Sequence, residues 1–536
     1  MTRINRRKLI LGASGGLAAT LLGGPMLASS ADESVVTETR HGKVRGIRTD
    51  GVDIYRGVPY AGPVSGRNRF KPAPPLASWT GVRDALVAGP PSIQPQQSGT
   101  FALKLPTEPS EDCLTLTVWT PAGGGKRRPV MLYNHGGGFT TGSAASPIQD
   151  GAQLARLYDV VVVATNHRLG LLGYLYLGEL GDGLKWISHN IEAFGGDPNN
   201  VMVFGESGGG AKTSVVYAMP SAAKLFNKAS IESGPGIRVM TLDNAAGTTR
   251  AVLTELDIAP AQWRKLLEVP SAQLLDVQVK LASRLKSNLF ADRKGIADAG
   301  PGGLGPVLDG KVLPQHPFDP APPAFSRNKP LLVGYNHDEY DFFALVSGDM
   351  AAFNLDEEGL EGRLQKEIPG RWQEVLATYQ ASRPDASPAD LYCAIRTSRF
   401  SGTGSTVIAE RKTAQGGAPA YQYIFSYRLE AKLPGTARLI GAMHGIDIPF
   451  KFDNVEHTSM NGKGNVAGAR PERIKAGRNM SEMWATFART GKPGAVGEPA
   501  WPAYTLQTRN TLLIDSECRV VSDPWPLERR LWEEIA

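Results

Sequence analysis

The stretch Val201–Pro220, VMVFGESGGGAKTSVVYAMP, passes through three kinds of sequence in a short span. Val201 to Phe204 is apolar and partly β-branched, as strands are. Gly205-Glu206-Ser207-Gly208-Gly209 is a tight turn, and a helical run follows it. A strand that feeds directly into a helix is the unit of a parallel sheet, so this stretch predicts an α/β protein.

At such a turn Ser207 is held in a strained conformation. Gly205 and Gly209 have to be small because strand and helix pass closely on either side. The serine Oγ is thereby thrust into open space at a helix start, where unpaired N–H groups and the positive end of the dipole favour a developing oxyanion. The N–H of Gly208 is the first such donor. This is the nucleophile elbow of the α/β-hydrolase fold. The five-residue pattern is weak by itself: the chain has 61 glycines, and the pattern occurs again at Gly12, Ser14 and Gly16. That second copy follows no strand, so context separates the two.

The context is supplied by Asn134-His135-Gly136-Gly137-Gly138-Phe139, directly after the strand-like Val130 to Tyr133. Consecutive glycines leave backbone N–H groups unobstructed, and in lipases and esterases such a turn forms the other half of an oxyanion hole. Further strands are predicted at Ser34 to Thr39, Lys43 to Ile47, Leu114 to Thr120, Val160 to Thr165, Ala229 to Glu232, Leu331 to Val333 and Tyr421 to Ser426. Helices are predicted at Leu184 to Phe194, Gln262 to Glu268, Ala272 to Leu285 and Ile474 to Thr490. The Pro- and Gly-rich run from Tyr55 through Pro72 to Trp79 reads as irregular. The rhythm implies an α/β-hydrolase fold, with a large, mostly parallel sheet flanked by helices and with helical lid insertions at about 238–330 and 341–420.

At 536 residues, 41% of them hydrophobic, the chain can bury a large core, and no internal repeat or long linker divides it. The reading is one domain over 32–536, preceded by an export signal over 1–31. That leader has a basic start, an apolar Gly/Ala/Leu stretch and small residues around Ala28 to Ala31. Arg6-Arg7 followed by Lys8, Leu9 and Ile10 resembles a bacterial twin-arginine signal, with an ordinary secretory signal as the runner-up. An exported, periplasmic or secreted protein without stable membrane insertion is expected. The formal charge is +6, and the leader's four positives reduce it to +2 for the remainder, so nucleic-acid binding has little support. The odd cysteine count, Cys113, Cys393 and Cys518, leaves at least one thiol free or paired between chains.

A serine hydroxyl needs a base to take its proton, and the base needs a carboxylate to fix its tautomer. In this fold the order along the chain is Ser, acid, His. Of His316, His337, His444 and His457, the candidate is His444, which has Gly445 beside it in a loop after a strand. The acid is expected after the strand at Leu331 to Val333, where Asp338 and Glu339 are nearly equal candidates.

The run of motifs resembles the type-B carboxylesterase and cholinesterase family over nearly the whole chain after the leader. It includes Gly57-Val58-Pro59-Tyr60-Ala61, Glu111-Asp112-Cys113-Leu114, the His135 glycine turn, Asn166-His167-Arg168-Leu169-Gly170, Phe194-Gly195-Gly196-Asp197-Pro198, the elbow, Pro306-Val307-Leu308-Asp309-Gly310 and His444-Gly445. The resemblance implies a Ser207–Glu339–His444 triad, an oxyanion hole of Gly137, Gly138 and Gly208, and hydrolysis of a small-molecule ester through an acyl-enzyme. No metal or cofactor is required. The chain departs from the family at several places. Gly208 stands for the usual Ala, which keeps the N–H but loosens the turn. Ser92 stands where Cys113 would find its disulfide partner, Tyr340 replaces a Gly, and Gly178–Gly183 is shorter than the family's loop. That shortening motivates the rival reading, an exported binding protein of the same fold with weak or no catalysis. A hydrolase of amides or thioesters would share the same site.

Overall fold

The computed structural model describes residues 33–96, 105, 107–176, 183–285, 303–429, 432, 433, 436, 438–456 and 467–535. The predicted export signal, the short segment before Gly183 and His457 lie outside the described residues.

A single 13-stranded sheet organises these residues. Its strands are β1 (Glu33–Thr39), β2 (Gly42–Thr49), β3 (Val52–Pro59), β4 (Val82–Asp84), β5 (Thr115–Pro121), β6 (Arg128–Asn134), β7 (Val161–Thr165), β8 (Gly196–Glu206), β9 (Lys228–Glu232), β10 (Leu331–Asn336), β11 (Ala420–Phe425), β12 (Asn510–Ile514) and β13 (Arg519–Ser522). Strand order is β1-β2-β3-β5-β7-β6-β8-β9-β10-β11-β12-β13, with β4 beside β2. The run from β7 to β12 is parallel, whereas β1, β2, β3 and β5 at one edge and β13 at the other pair antiparallel.

Parallel strands are covered on both faces, and here every residue of β7, β9, β10 and β11 is buried. Because side chains alternate, successive residues serve two different cores. Met131, Tyr133, Val162, Met202, Phe204, Tyr423 and Leu512 pack on one face with Trp484. Val130, Leu132, Val161, Val163, Val201, Val203 and Ile231 pack on the other with Trp186 and Tyr217. Helix α1 (Gly208–Ala218) follows β8 and is buried nearly throughout.

The irregular reading from Tyr55 is corrected at its start, because β3 runs to Pro59. Its pairing with β5 shifts register between Tyr55 and Val58, and Gly57 sits at φ +72°. A bulge of this kind breaks the alternation by which a strand is read from sequence. The predicted helix ending at Phe194 is a helix over Gly183–Asn190 continued by a 3-10 turn, Ile191–Phe194, and the predicted helix at Gln262 is likewise a 3-10 segment, Pro260–Leu267. Between β9 and β10 the described helices are Leu242–Glu255 and Ser271–Leu285. Between β10 and β11 they are α2 (Glu339–Ser347), Glu357–Glu367, Trp372–Ser382, α3 (Pro388–Thr397) and α4 (Thr403–Gln415).

All three cysteines are buried and unpaired. Burial pushes the Cys113 thiol up, and the neighbouring Ser92, the residue that replaces the expected disulfide partner, works against that rise. Among the described residues, no helix is long and apolar enough to cross a membrane, and no cluster of three His, Cys, Asp or Glu could hold a metal.

Candidate active site

Four strands of the parallel run deliver the candidate residues at their carboxyl ends, where loops are free of sheet pairing. β6 leads into the His135 glycine turn, β8 into Ser207, β10 into Glu339 and β11, after a longer loop, into His444.

Ser207 adopts φ 59° and ψ −123° at the head of α1, a conformation that costs a non-glycine residue on the order of 1–3 kcal/mol. Three contacts enforce it. The Ser207 N–H donates to Glu232 O at 2.8 Å, and the Ala211 N–H donates to Ser207 O at 3.1 Å. A β-carbon at Gly205 would lie 2.6 Å from both Asn134 O and Gly209 C, so β6 and α1 close on the turn from two sides.

The Ser207 hydroxyl lies 2.8 Å from His444 Nε2, and His444 Nδ1 lies 2.6 Å from Glu339 Oε2. Glu339, the first residue of α2, is fully buried. Its Oε1 accepts from the Asn336 N–H at 2.9 Å and from Ser401 Oγ at 3.1 Å. These bonds fix the carboxylate, and they orient His444 with Nδ1 toward the acid and Nε2 toward the serine.

The neighbouring candidate, Asp338, points elsewhere. It is bonded to His337 Nδ1 at 2.9 Å and accepts from Arg428 at 3.2 Å, while its Oδ2 accepts from the Ala442 N–H at 2.9 Å. Burial opposes its ionisation, but His337, Arg428 and Arg438 outweigh that and hold its carboxyl below the usual range. Asp338 thus anchors the loop that carries His444. His316 is engaged elsewhere, accepting from the Val239 N–H at 3.2 Å.

Gly137, Gly138 and Gly208 meet on the other side of Ser207. Gly137 and Gly138 have φ +87° and +61°, which only glycine adopts without strain. None of these three N–H groups donates a hydrogen bond among the described residues. The glycine turn is fastened around its rim: Gln94 bonds Gly142 from both ends, at 2.8 and 2.9 Å, and the Gly170 N–H donates to Phe139 O at 2.8 Å. Lys212 Nζ donates to His135 O at 3.0 Å.

Sequence reasoning missed several residues. Glu206 is buried, with Oε1 3.4 Å from His444 Nε2 and without a hydrogen-bond partner. Burial pushes its carboxyl up to about 8. Burial works against the His444 imidazolium, yet the Glu206 and Glu339 carboxylates outweigh it and raise His444 to about 9. Phe342, Phe343 and Phe400 surround the imidazole with ring centroids 5.7, 4.9 and 5.1 Å away. Phe342 and Phe343 were findable, since residues three and four positions after Glu339 share its helix face. Phe400 and Ser401 lie in a π-helical turn, Ser398–Gly402, between α3 and α4, an insertion with no sequence signature of its own.

Beneath the site, Lys451, Glu232 and Asp447 form a fully buried charge cluster. Lys451 Nζ is paired with Glu232 Oε2 and lies 3.2 Å from Asp447 Oδ2. Trp484 Nε1 donates to Glu232 at 2.6 Å, and Asn336 Nδ2 donates to Asp447 at 3.0 Å.

Comparison with known proteins finds the sequence profile described as "Carboxylesterase family" matching residues 32–525. Para-nitrobenzyl esterase of Bacillus subtilis is 34% identical over 505 residues, covering 91% of this chain and 96% of that protein. Phenmedipham hydrolase of Pseudarthrobacter oxydans is 30% identical, covering 90% and 95%. A crystal structure of the Geobacillus stearothermophilus carboxylesterase EST55 superposes with a TM-score of 0.78 at 34% identity, covering 93% of this chain and 99% of that one.

Proposed function

The chain belongs to the carboxylesterase family and is a serine carboxylic-ester hydrolase, and from that premise we propose that Ser207, His444 and Glu339 form its catalytic triad. Ser207 Oγ attacks the ester carbonyl as His444 Nε2 takes its proton. The tetrahedral oxyanion accepts from the N–H groups of Gly137, Gly138 and Gly208. His444 then returns the proton to the leaving alkoxide, which departs as the alcohol. Water, deprotonated in turn by His444, releases the acid from the acyl-serine. Glu339 holds the imidazole in the required tautomer and stabilises its cation. The family and its relatives support ester hydrolysis, and a small-molecule ester is the substrate class.

One observation carries the assignment: the continuous chain of hydrogen bonds from Ser207 through His444 to Glu339, at 2.8 and 2.6 Å, beside three unused N–H groups. A p-nitrophenyl ester tests it. A burst of p-nitrophenol equal to the enzyme concentration, abolished by an organophosphate whose label maps to Ser207, is the expected result. A label on any other serine overturns the assignment. We also infer that residues 1–31 direct export; attached to a reporter protein, they should carry it out of the cytoplasm, and a pair of Lys residues in place of Arg6 and Arg7 should stop it.

A further inference from the structure

A cavity of about 210 Å³ lies beside α1, walled by Leu172, Leu175, Val215, Val312 and Leu313, with Lys212 also in its wall. None of Ser207, Glu339 and His444 lines it. Lys212 is five residues beyond the serine, roughly 7.5 Å along the helix axis.

The surroundings of Lys212 are unusual for a buried cation. Its relative exposure is 7%, and no carboxylate pairs with it among the described residues. Its polar neighbours are themselves basic: His135 and His167 stack 4.5 Å apart, with His135 driven down to about 3 by burial and by Lys212. The only acid in the cavity wall among the described residues, Asp309, is occupied in its own turn, where its Oδ1 accepts from the N–H groups of Lys311 and Leu313 at 3.0 and 2.9 Å. The half-exposed Arg168 adds a second cation to the lining. An ammonium has three donors, and the one hydrogen bond found for Lys212 goes to His135 O. A buried cation without a counter-charge is costly, and burial lowers its pKa to about 7.

An apolar cavity walled in part by Lys212, a buried lysine that no carboxylate offsets among the described residues, is complementary to a ligand that is apolar at one end and anionic at the other. We propose that this cavity is a second binding site, separate from the catalytic serine, for the anion of a small apolar carboxylic acid, its carboxylate on Lys212 and its chain among Leu172, Leu175, Val215 and Leu313. The volume suits a chain of about six carbons or one aromatic ring, since a cavity of about 150 Å³ holds benzene. Acids of this class are also what ester hydrolysis releases, but binding here does not depend on which residue is the nucleophile.

The test is calorimetric titration of hexanoate into the full chain, with hexan-1-ol as the uncharged control. Saturable binding of one hexanoate is expected, at least tenfold tighter than the alcohol and at least tenfold weakened in Lys212→Met. Val312→Trp fills the cavity from its half-exposed wall; it should abolish binding and leave ester hydrolysis within twofold of the parent. The proposal is overturned by a flat titration, by equal binding of acid and alcohol, or by hexanoate binding that survives Val312→Trp, which would put the anion in the catalytic pocket. Should Lys212→Met fail to fold, the alcohol control and Val312→Trp decide. Because hydrolysis is measured separately, a flat titration of an active enzyme removes only the cavity proposal.

Discussion

Gly208 and Gly138 are interlocked. A β-carbon at Gly208 would lie 2.5 Å from both the amide nitrogen and the α-carbon of Gly138, and closer still to its carbonyl oxygen. The residue after the nucleophile and the tip of the glycine turn therefore share one volume. The space left by the missing methyl is taken up by the opposing main chain, so the turn is not loose there.

Gly208→Ala should accordingly push the Gly138 main chain away from the serine. Losing one well-placed oxyanion donor costs about 10²–10³ in kcat. A partial displacement is expected to cost at least tenfold in kcat, with KM less affected and the thermal transition close to that of the parent. Steady-state kinetics on a short p-nitrophenyl ester checks this; an unchanged kcat would mean that the turn moves without carrying its donors out of line.

Glu339 and Asp338 are adjacent in the chain but face different partners, which separates their variants. Glu339→Gln keeps the shape and removes the charge that stabilises the imidazolium, so kcat should fall on the order of 10³–10⁴. Asp338→Asn acts only through the loop at Ala442 and should cost less than Glu339→Gln by a factor of about 100. Equal losses in the two variants would refute the assignment of Glu339.

The pH profile follows from the carboxylates around His444. The imidazole is a base only when neutral, so hydrolysis rises with pH as His444 gives up its proton. Glu206, 3.4 Å from Nε2, favours the charged imidazole, and burial pushes Glu206 itself up to about 8, so the two titrate as a pair. Glu206→Gln removes a negative charge and lowers the pKa of His444. The acid limb of kcat/KM should then move to lower pH by about one unit. A limb that stays in place would show that Glu206 is uncharged while His444 titrates.

Lys451 is the one buried cation facing Glu232 and Asp447 among the described residues, so Lys451→Met leaves two carboxylates without compensation. The expected loss is about 3–5 kcal/mol in urea unfolding. Adding Glu232→Gln to Lys451→Met should recover part of it, because Ser230 and Trp484 still have an oxygen to donate to. A double variant no more stable than the single one would place the cost in lost packing.

What the sequence determined was local. The elbow at Gly205–Gly209 and the glycine turn at Gly136–Gly138 were legible because their backbone conformations are demanded by neighbouring residues. β7 and β9 were legible because strands buried on both faces need apolar side chains throughout. β3 escaped because its bulge at Gly57 breaks the alternation, and β12 and β13 escaped as short strands amid turn residues. His444 could be chosen from its loop, but Asp338 and Glu339 could not be told apart by position, since adjacent residues at a helix start differ only in the direction their side chains take. That direction, the carboxylate of Glu206 beside the imidazole, the arrival of Ser401 through a π-helical turn and the Lys451 cluster were decided by tertiary structure alone. The bonds that define the site join residues 105 and 237 positions apart. Contacts of that span exist only after the sheet has ordered its strands, and no local pattern of hydrophobicity or turn residues encodes them.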